Sequence, residues 1–170
     1  MFISPAGLVT ARFWRHWFDS PQSGNVLGLA SIEMRASAGG PNLASDPLQA
    51  TCSVGGSNPG NVCDNDPSTF WTCPGGQGWI QIDLGSLLTI TEIKLVARND
   101  AGFIQAPQNA GIFALDQLGR WVDIDVIGGT GVDAVGMQWS QGETKTLALN
   151  ADWEDRAVFR WRSSLYITSV

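Results

Sequence analysis

Apolar and polar residues alternate with a period of two along several stretches of this chain, and helical spacing is hard to find. In Trp79-Ile80-Gln81-Ile82-Asp83-Leu84, Ile80, Ile82 and Leu84 share one face, Gln81 and Asp83 take the other, and Gly85 ends the run. Glu92-Ile93-Lys94-Leu95-Val96-Ala97 places Ile93, Leu95 and Ala97 together. Near the C-terminus Phe159, Trp161, Leu165 and Ile167 share a parity, with Arg160, Arg162, Tyr166 and Thr168 opposite. Such runs predict half-buried strands of antiparallel sheets. The same alternation at 13–18 turns Trp14, His16 and Phe18 inward and Trp17 outward, and an exposed tryptophan marks an interface. Trp71, Trp79 and Trp161, each in or beside an apolar strand pattern, are expected in the core.

Turn-rich stretches at 53–60, 74–78 and 128–131 separate the strands, and no composition shift divides the chain. Strands and turns at this spacing predict an all-β sandwich or barrel. The 170 residues fit a short arm, 1–10, and a single domain, 11–170. One internal echo stands out. Phe13-Trp14-Arg15-His16-Trp17-Phe18 is similar in order to Arg160-Trp161-Arg162 followed by Leu165-Tyr166-Ile167.

Composition narrows the function classes. With 44% hydrophobic and 15% charged residues the chain is a packed globule. Ten basic against 16 acidic residues leave a formal charge of −6, which offers no electrostatic footprint for nucleic acid or an anionic membrane. No apolar run approaches the roughly 20 residues of a membrane span, and the start, Met1-Phe2-Ile3-Ser4-Pro5, lacks the pattern of a signal peptide. Synthesis and folding in a cytoplasm are the expectation. Cys52, Cys63 and Cys73 form no Cys-x-x-Cys pair, which favours buried free thiols over a disulfide framework or zinc. A lone histidine, His16, leaves no histidine cluster and few triads. There is no Gly-x-Ser-x-Gly elbow, residues 128–131 lack phosphate-loop spacing, and Asp123 and Asp125 merely alternate on a strand. The chain reads as a non-enzyme.

Asn61-Val62-Cys63-Asp64-Asn65-Asp66-Pro67-Ser68-Thr69-Phe70-Trp71 resembles the Asn-Ala-Phe-Asp-Gly-Asp-x-x-Thr-x-Trp block of the discoidin family, the coagulation-factor type C and galactose-binding-like domains. The run 79–85, then Ile93 to Asp100, Gln105-Ala106-Pro107 and Trp139 to Thr144 are similar to that family in order and spacing. The resemblance implies a jelly-roll β-sandwich. Its ends are shifted: the hairpin that commonly closes such domains resembles residues 11–35 here, ending in Ala30-Ser31-Ile32-Glu33-Met34-Arg35. A circularly shifted sandwich follows, with that hairpin beside the C-terminal strand. This arrangement is similar to discoidin-like domains of bacteriophage virion proteins. It implies a non-catalytic structural or binding module in a virion, as a capsid-decorating or tail-associated protein. The partners are then other virion proteins or further copies of itself, the alternative being a lectin-like module attaching to cell-surface glycans.

Two loops carry candidate chemistry. Asp64, Asp66, Ser68 and Thr69 bring carboxylates and hydroxyls into one tight loop, the oxygen set a calcium ion prefers. In related modules a glutamate from the Ala-Glu-Ile-Glu strand completes a structural calcium site. Ser31 stands at the matching position here, with Glu33 nearby. The competing reading is an Asx-type turn capped by Asp64, with no cofactor required. Arg98, Asn99 and Asp100, just past a strand end, with Gln105 and Trp139, match the polar groups and aromatic ring with which carbohydrate-binding relatives hold sugars. Against this stands an Arg98–Asp100 ion pair that simply braces the loop.

Overall fold

The computed structural model describes residues 2–3, 8–127 and 136–149, with side chains for 8–124 and 136–149. Within them lie eleven strands: β1 (Phe2–Ile3), β2 (Val9–Pro21), β3 (Val26–Leu29), β4 (Ser31–Arg35), β5 (Ala50–Cys52), β6 (Trp71–Pro74), β7 (Gln77–Ile90), β8 (Glu92–Val96), β9 (Pro107–Leu115), β10 (Trp121–Ile127) and β11 (Thr144–Ala148). No α-helix occurs among the described residues; Pro47–Gln49, Pro59–Cys63 and Ala101–Gln105 form short 3-10 turns.

Every strand pairing is antiparallel. The main sheet runs β10-β9-β2-β7-β5, with β1 folded back on the start of β2. A smaller sheet runs β11-β8-β4, and β3 pairs with β6 as a two-stranded ribbon. Alternation places the core between these layers. Trp14, His16, Phe18, Ile80, Ile82 and Ile112 of the main sheet are buried, as are Ile32, Met34, Ile93 and Leu95 of the smaller one. Leu27, Leu29, Trp71 and Cys73 of the ribbon complete a single hydrophobic cluster. The Phe18 and Trp71 rings lie 5.8 Å apart and tilted, a geometry aromatic pairs favour. This is an all-β sandwich, one of the two architectures the strand pattern predicts and the one the resemblance implies.

Several local expectations change. Gly85 does not end its strand: β7 continues to Ile90, and Gly85 takes a φ of 75°, which L side chains rarely adopt. Residues 11–35 are not a hairpin. β2 enters the middle of the main sheet between β7 and β9, whereas β4 pairs with β8 in the smaller sheet. The N-terminal segment thus contributes a strand to each of the two sheets. β2 begins at Val9, inside the anticipated arm. Trp79 is not a core residue; its parity puts it on the outer face of β7. The strand anticipated at 159–168, Trp161 and the turn at 128–131 lie outside the described residues.

The outer faces of the two sheets differ in kind. On the smaller sheet Glu33, Arg35, Glu92 and Lys94 form a charged lattice: Arg35 bonds Glu33, and Glu92 lies 3.6 Å from Arg35 and 3.9 Å from Lys94. On the main sheet the outward parity of β2, β7, β9 and β10 presents Phe13, Arg15, Trp17, Trp79, Phe113 and Trp121. A solvated sheet face is ordinarily polar. This one is aromatic.

Candidate functional site

The loop after β8 is tied from both sides. Ala97 N–H donates to Glu143 O, Gly142 N–H to Arg98 O at 3.0 Å, and Gln141 Nε2 to Asn99 O at 3.0 Å, so residues 139–143 clasp residues 97–100. Asp100 starts the Ala101–Gln105 turn, its Oδ1 accepting from Gly102 N–H at 2.8 Å. Across this frame lies Arg98. It donates to both oxygens of Asp100, at 3.0 and 2.6 Å, and to Gln105 Oε1 at 2.7 Å. Its guanidinium carbon sits 3.4 Å from the centroid of the Phe70 ring. The hydrogen bond from Arg98 holds the Asp100 carboxyl below its usual range. Gly28 makes room for Gln105, because a Cβ there would meet Gln105 Oε1 at 3.0 Å.

The fold therefore brings Arg98, Asp100 and Gln105 into one cluster, while Asn99 is engaged by Gln141. It also spends Arg98 internally, since the side chain is only 12% exposed and braces the loop against Phe70. Trp139 does not join the cluster as a stacking ring. It is 4% exposed, its indole N–H donates to Pro107 O at 2.7 Å, and Lys145 Nζ lies 4.9 Å from its ring centroid. Buried strand-end packing, invisible in spacing alone, decides that residue.

In the Asp64 loop, Asp64 accepts from Asp66 N–H at 2.9 Å and from Thr69 Oγ1 at 2.6 Å. Asp66 accepts from the Ser68 N–H and hydroxyl, which hold its carboxyl below the usual range. Asn65, at φ 58°, turns the chain between them. The structure does not bring Glu33 here, because its carboxylate is bonded to Arg35. Among the described residues no three His, Cys, Asp or Glu side chains form a group that could hold a metal ion.

The site that sequence reasoning marked only through Trp17 is the outer face of the main sheet. Arg15 lies between two indoles, 4.4 Å from the Trp79 ring centroid and 4.2 Å from that of Trp121, and donates to Gln81 Oε1 at 2.8 Å. Its Nε is buried, with no hydrogen-bond partner among the described residues. Trp17, paired across the ladder with Trp79 and Gly111, is 42% exposed. A Cβ on Gly111 would stand 2.9 Å from the Phe113 ring, so glycine there lets that ring lie flat on the sheet. Asp19 and Gln77 border the face at one end, and the Arg12–Asp83 ion pair borders it at the other. The parity of 13, 15 and 17 with that of 79 and 81 carried this signal. Reading Trp79 as core hid it.

The described residues thus form an antiparallel sandwich with a braced loop at Arg98 and an aromatic outer face on its main sheet. A search of curated proteins finds no match. The model of the F5/8 type C domain matches residues 47–156, and the chain belongs to that family. Domains of this family are generally non-catalytic binding modules for carbohydrates or proteins. The match begins after β4, so the central strand β2 and the smaller sheet's edge strand β4 both precede it. Among the described residues no helix is long and apolar enough to cross a membrane.

Proposed function

We propose that this chain is a non-catalytic docking module of a bacteriophage particle, capsid-decorating or tail-associated, held by protein–protein contacts through the outer face of its main sheet. The observation that carries the docking reading is Trp17 exposed beside Trp79, with Arg15 laid between Trp79 and Trp121. Tryptophan and arginine dominate the energetics of protein interfaces, and a polar rim around an aromatic centre is the usual anatomy of one. The shifted ends, similar to those of virion discoidin-like domains, support the particle context by analogy. The test is mass spectrometry of purified particles carrying either the native chain or Trp17→Lys. Depletion of the variant with its circular dichroism unchanged is expected. Absence of the native chain, or full retention of the variant, overturns the reading.

A second reading, lectin-like attachment to glycans, is favoured by the gathering of Asp100 and Gln105 around Arg98, with Asn99 in the same loop. A glycan array decides it: binding lost in Arg98→Ala supports it, and no binding by the native chain ends it.

A further inference from the structure

We propose that the aromatic face is self-complementary and receives a second copy of this chain, with Trp17 on the two-fold axis. The inference rests on the reading of that face as the docking surface. It starts from charge. Arg15 is a cation whose described partners are two indoles and an amide, with no carboxylate among them. Asp19 lies four residues along the same strand and on the same face, and among the described residues it accepts only from neutral donors, Ser20 and Gln77. Residues two apart on a strand are separated by about 6.7 Å, so Arg15 and Asp19 stand about 13 Å apart, too far to pair within one copy. Trp17 is midway between them.

Consider a two-fold axis lying in the plane of contact and crossing β2 at Trp17, perpendicular to the strands. It reverses the strand direction of the second copy. Trp17 then meets Trp17, Arg15 of each copy meets Asp19 of the other, and two ion pairs form in one operation. The neighbouring strands follow. Trp79 and Gly111, the ladder partners of Trp17, fall on the axis. Gln77 meets Gln81, and Asn109 meets Phe113. The half of the face rich in rings thereby covers the half bearing amides and the acid. An axis parallel to the strands instead stacks Arg15 on Arg15, which like-charge repulsion opposes. Such an isologous contact closes at two copies, and sheets stack face to face at about 10 Å, the depth a layer of interleaved indoles fills. The charged lattice on the other sheet, already paired internally, has no comparable complement.

Sedimentation velocity of the full chain from about 1 to about 200 µM tests this, spanning the range of moderate homodimer affinities. The native chain is expected to dimerise and Trp17→Lys to stay monomeric. Arg15→Glu and Asp19→Arg each weaken self-association roughly tenfold or more, because each creates two like-charge contacts. Mixing those two variants restores a dimer, since every cross-copy contact in the mixed pair is then between opposite charges. Should Arg15→Glu fail to fold, Asp19→Asn keeps the readout, with association several-fold weaker and less salt-dependent. A native chain monomeric throughout, a dimer indifferent to Trp17→Lys, or a mixture that stays monomeric overturns the proposal. A monomer that nonetheless leaves particles on Trp17→Lys sinks the two-fold and spares the docking face. A two-fold dimer absent from particles does the reverse.

Discussion

His16 is the chain's single histidine, and it is sealed in the core. Its ladder neighbours are Ile80 and Ile112, its ring stacks 6.3 Å from that of Phe18, and neither ring nitrogen has a hydrogen-bond partner among the described residues. Burial pushes its pKa down to about 4. An unfolded chain takes up this proton near the ordinary value of 6.5, whereas the folded chain resists it until about 4. Between those limits the unfolded state binds more protons, so stability falls as pH falls from about 6.5 to about 4. At about 1.4 kcal/mol per pH unit of separation, the loss attributable to His16 is roughly 3 kcal/mol. Replacing it by leucine removes this penalty and the standing cost of two orphaned nitrogens, about 1–3 kcal/mol at any pH. Urea unfolding followed by tryptophan fluorescence, for the native chain and His16→Leu at steps from pH 7.5 to about 4, is the assay. The variant is expected to be more stable at neutral pH, and its advantage should widen by roughly 3 kcal/mol on acidification. Carboxylates contribute equally to both chains and cancel in the difference. Parallel pH profiles would refute the reasoning, since they would mean that His16 finds a partner or water.

Three further outcomes follow from the geometry. Gly78→Ala places a methyl group 2.7 Å from Cys73 Sγ and 3.0 Å from Ser53 Oγ, which costs about 1–3 kcal/mol in urea unfolding; an unchanged midpoint contradicts the packing. Thiol labelling of the folded protein should modify Cys52, the partly exposed one, before Cys73, and leave Cys63 untouched because burial pushes that thiol up to about 12; early labelling of Cys63 would show an open core. EDTA should shift the melting temperature by no more than about two degrees, because Asp64, Asp66 and Glu33 already spend carboxylate oxygens on protein donors; a fall of about ten degrees would reveal a structural ion.

The chain by itself determined the sandwich and the direction of most strand side chains, because alternation is a local rule. Once Ile80, Ile82 and Leu84, or Trp14 and Phe18, must be dry, their neighbours must face out. The ordered motifs from Asn61 to Thr144 carried the family. What only the tertiary structure decided are the non-local choices. Spacing cannot say that β2 lies between β7 and β9 while β4 joins the other sheet, because ladder partners come from 57 to 100 residues away. It cannot say whether an outward tryptophan meets water or another ring. Trp79 and Trp121 became a site only when three strands set them on either side of Arg15. Trp139 ceased to be one when Pro107 and Lys145 enclosed it. The Asp64 loop shows the same division: the motif was legible as a tight turn, but Glu33 went to Arg35 because the two project from the same face of β4, and opposite charges there pair first.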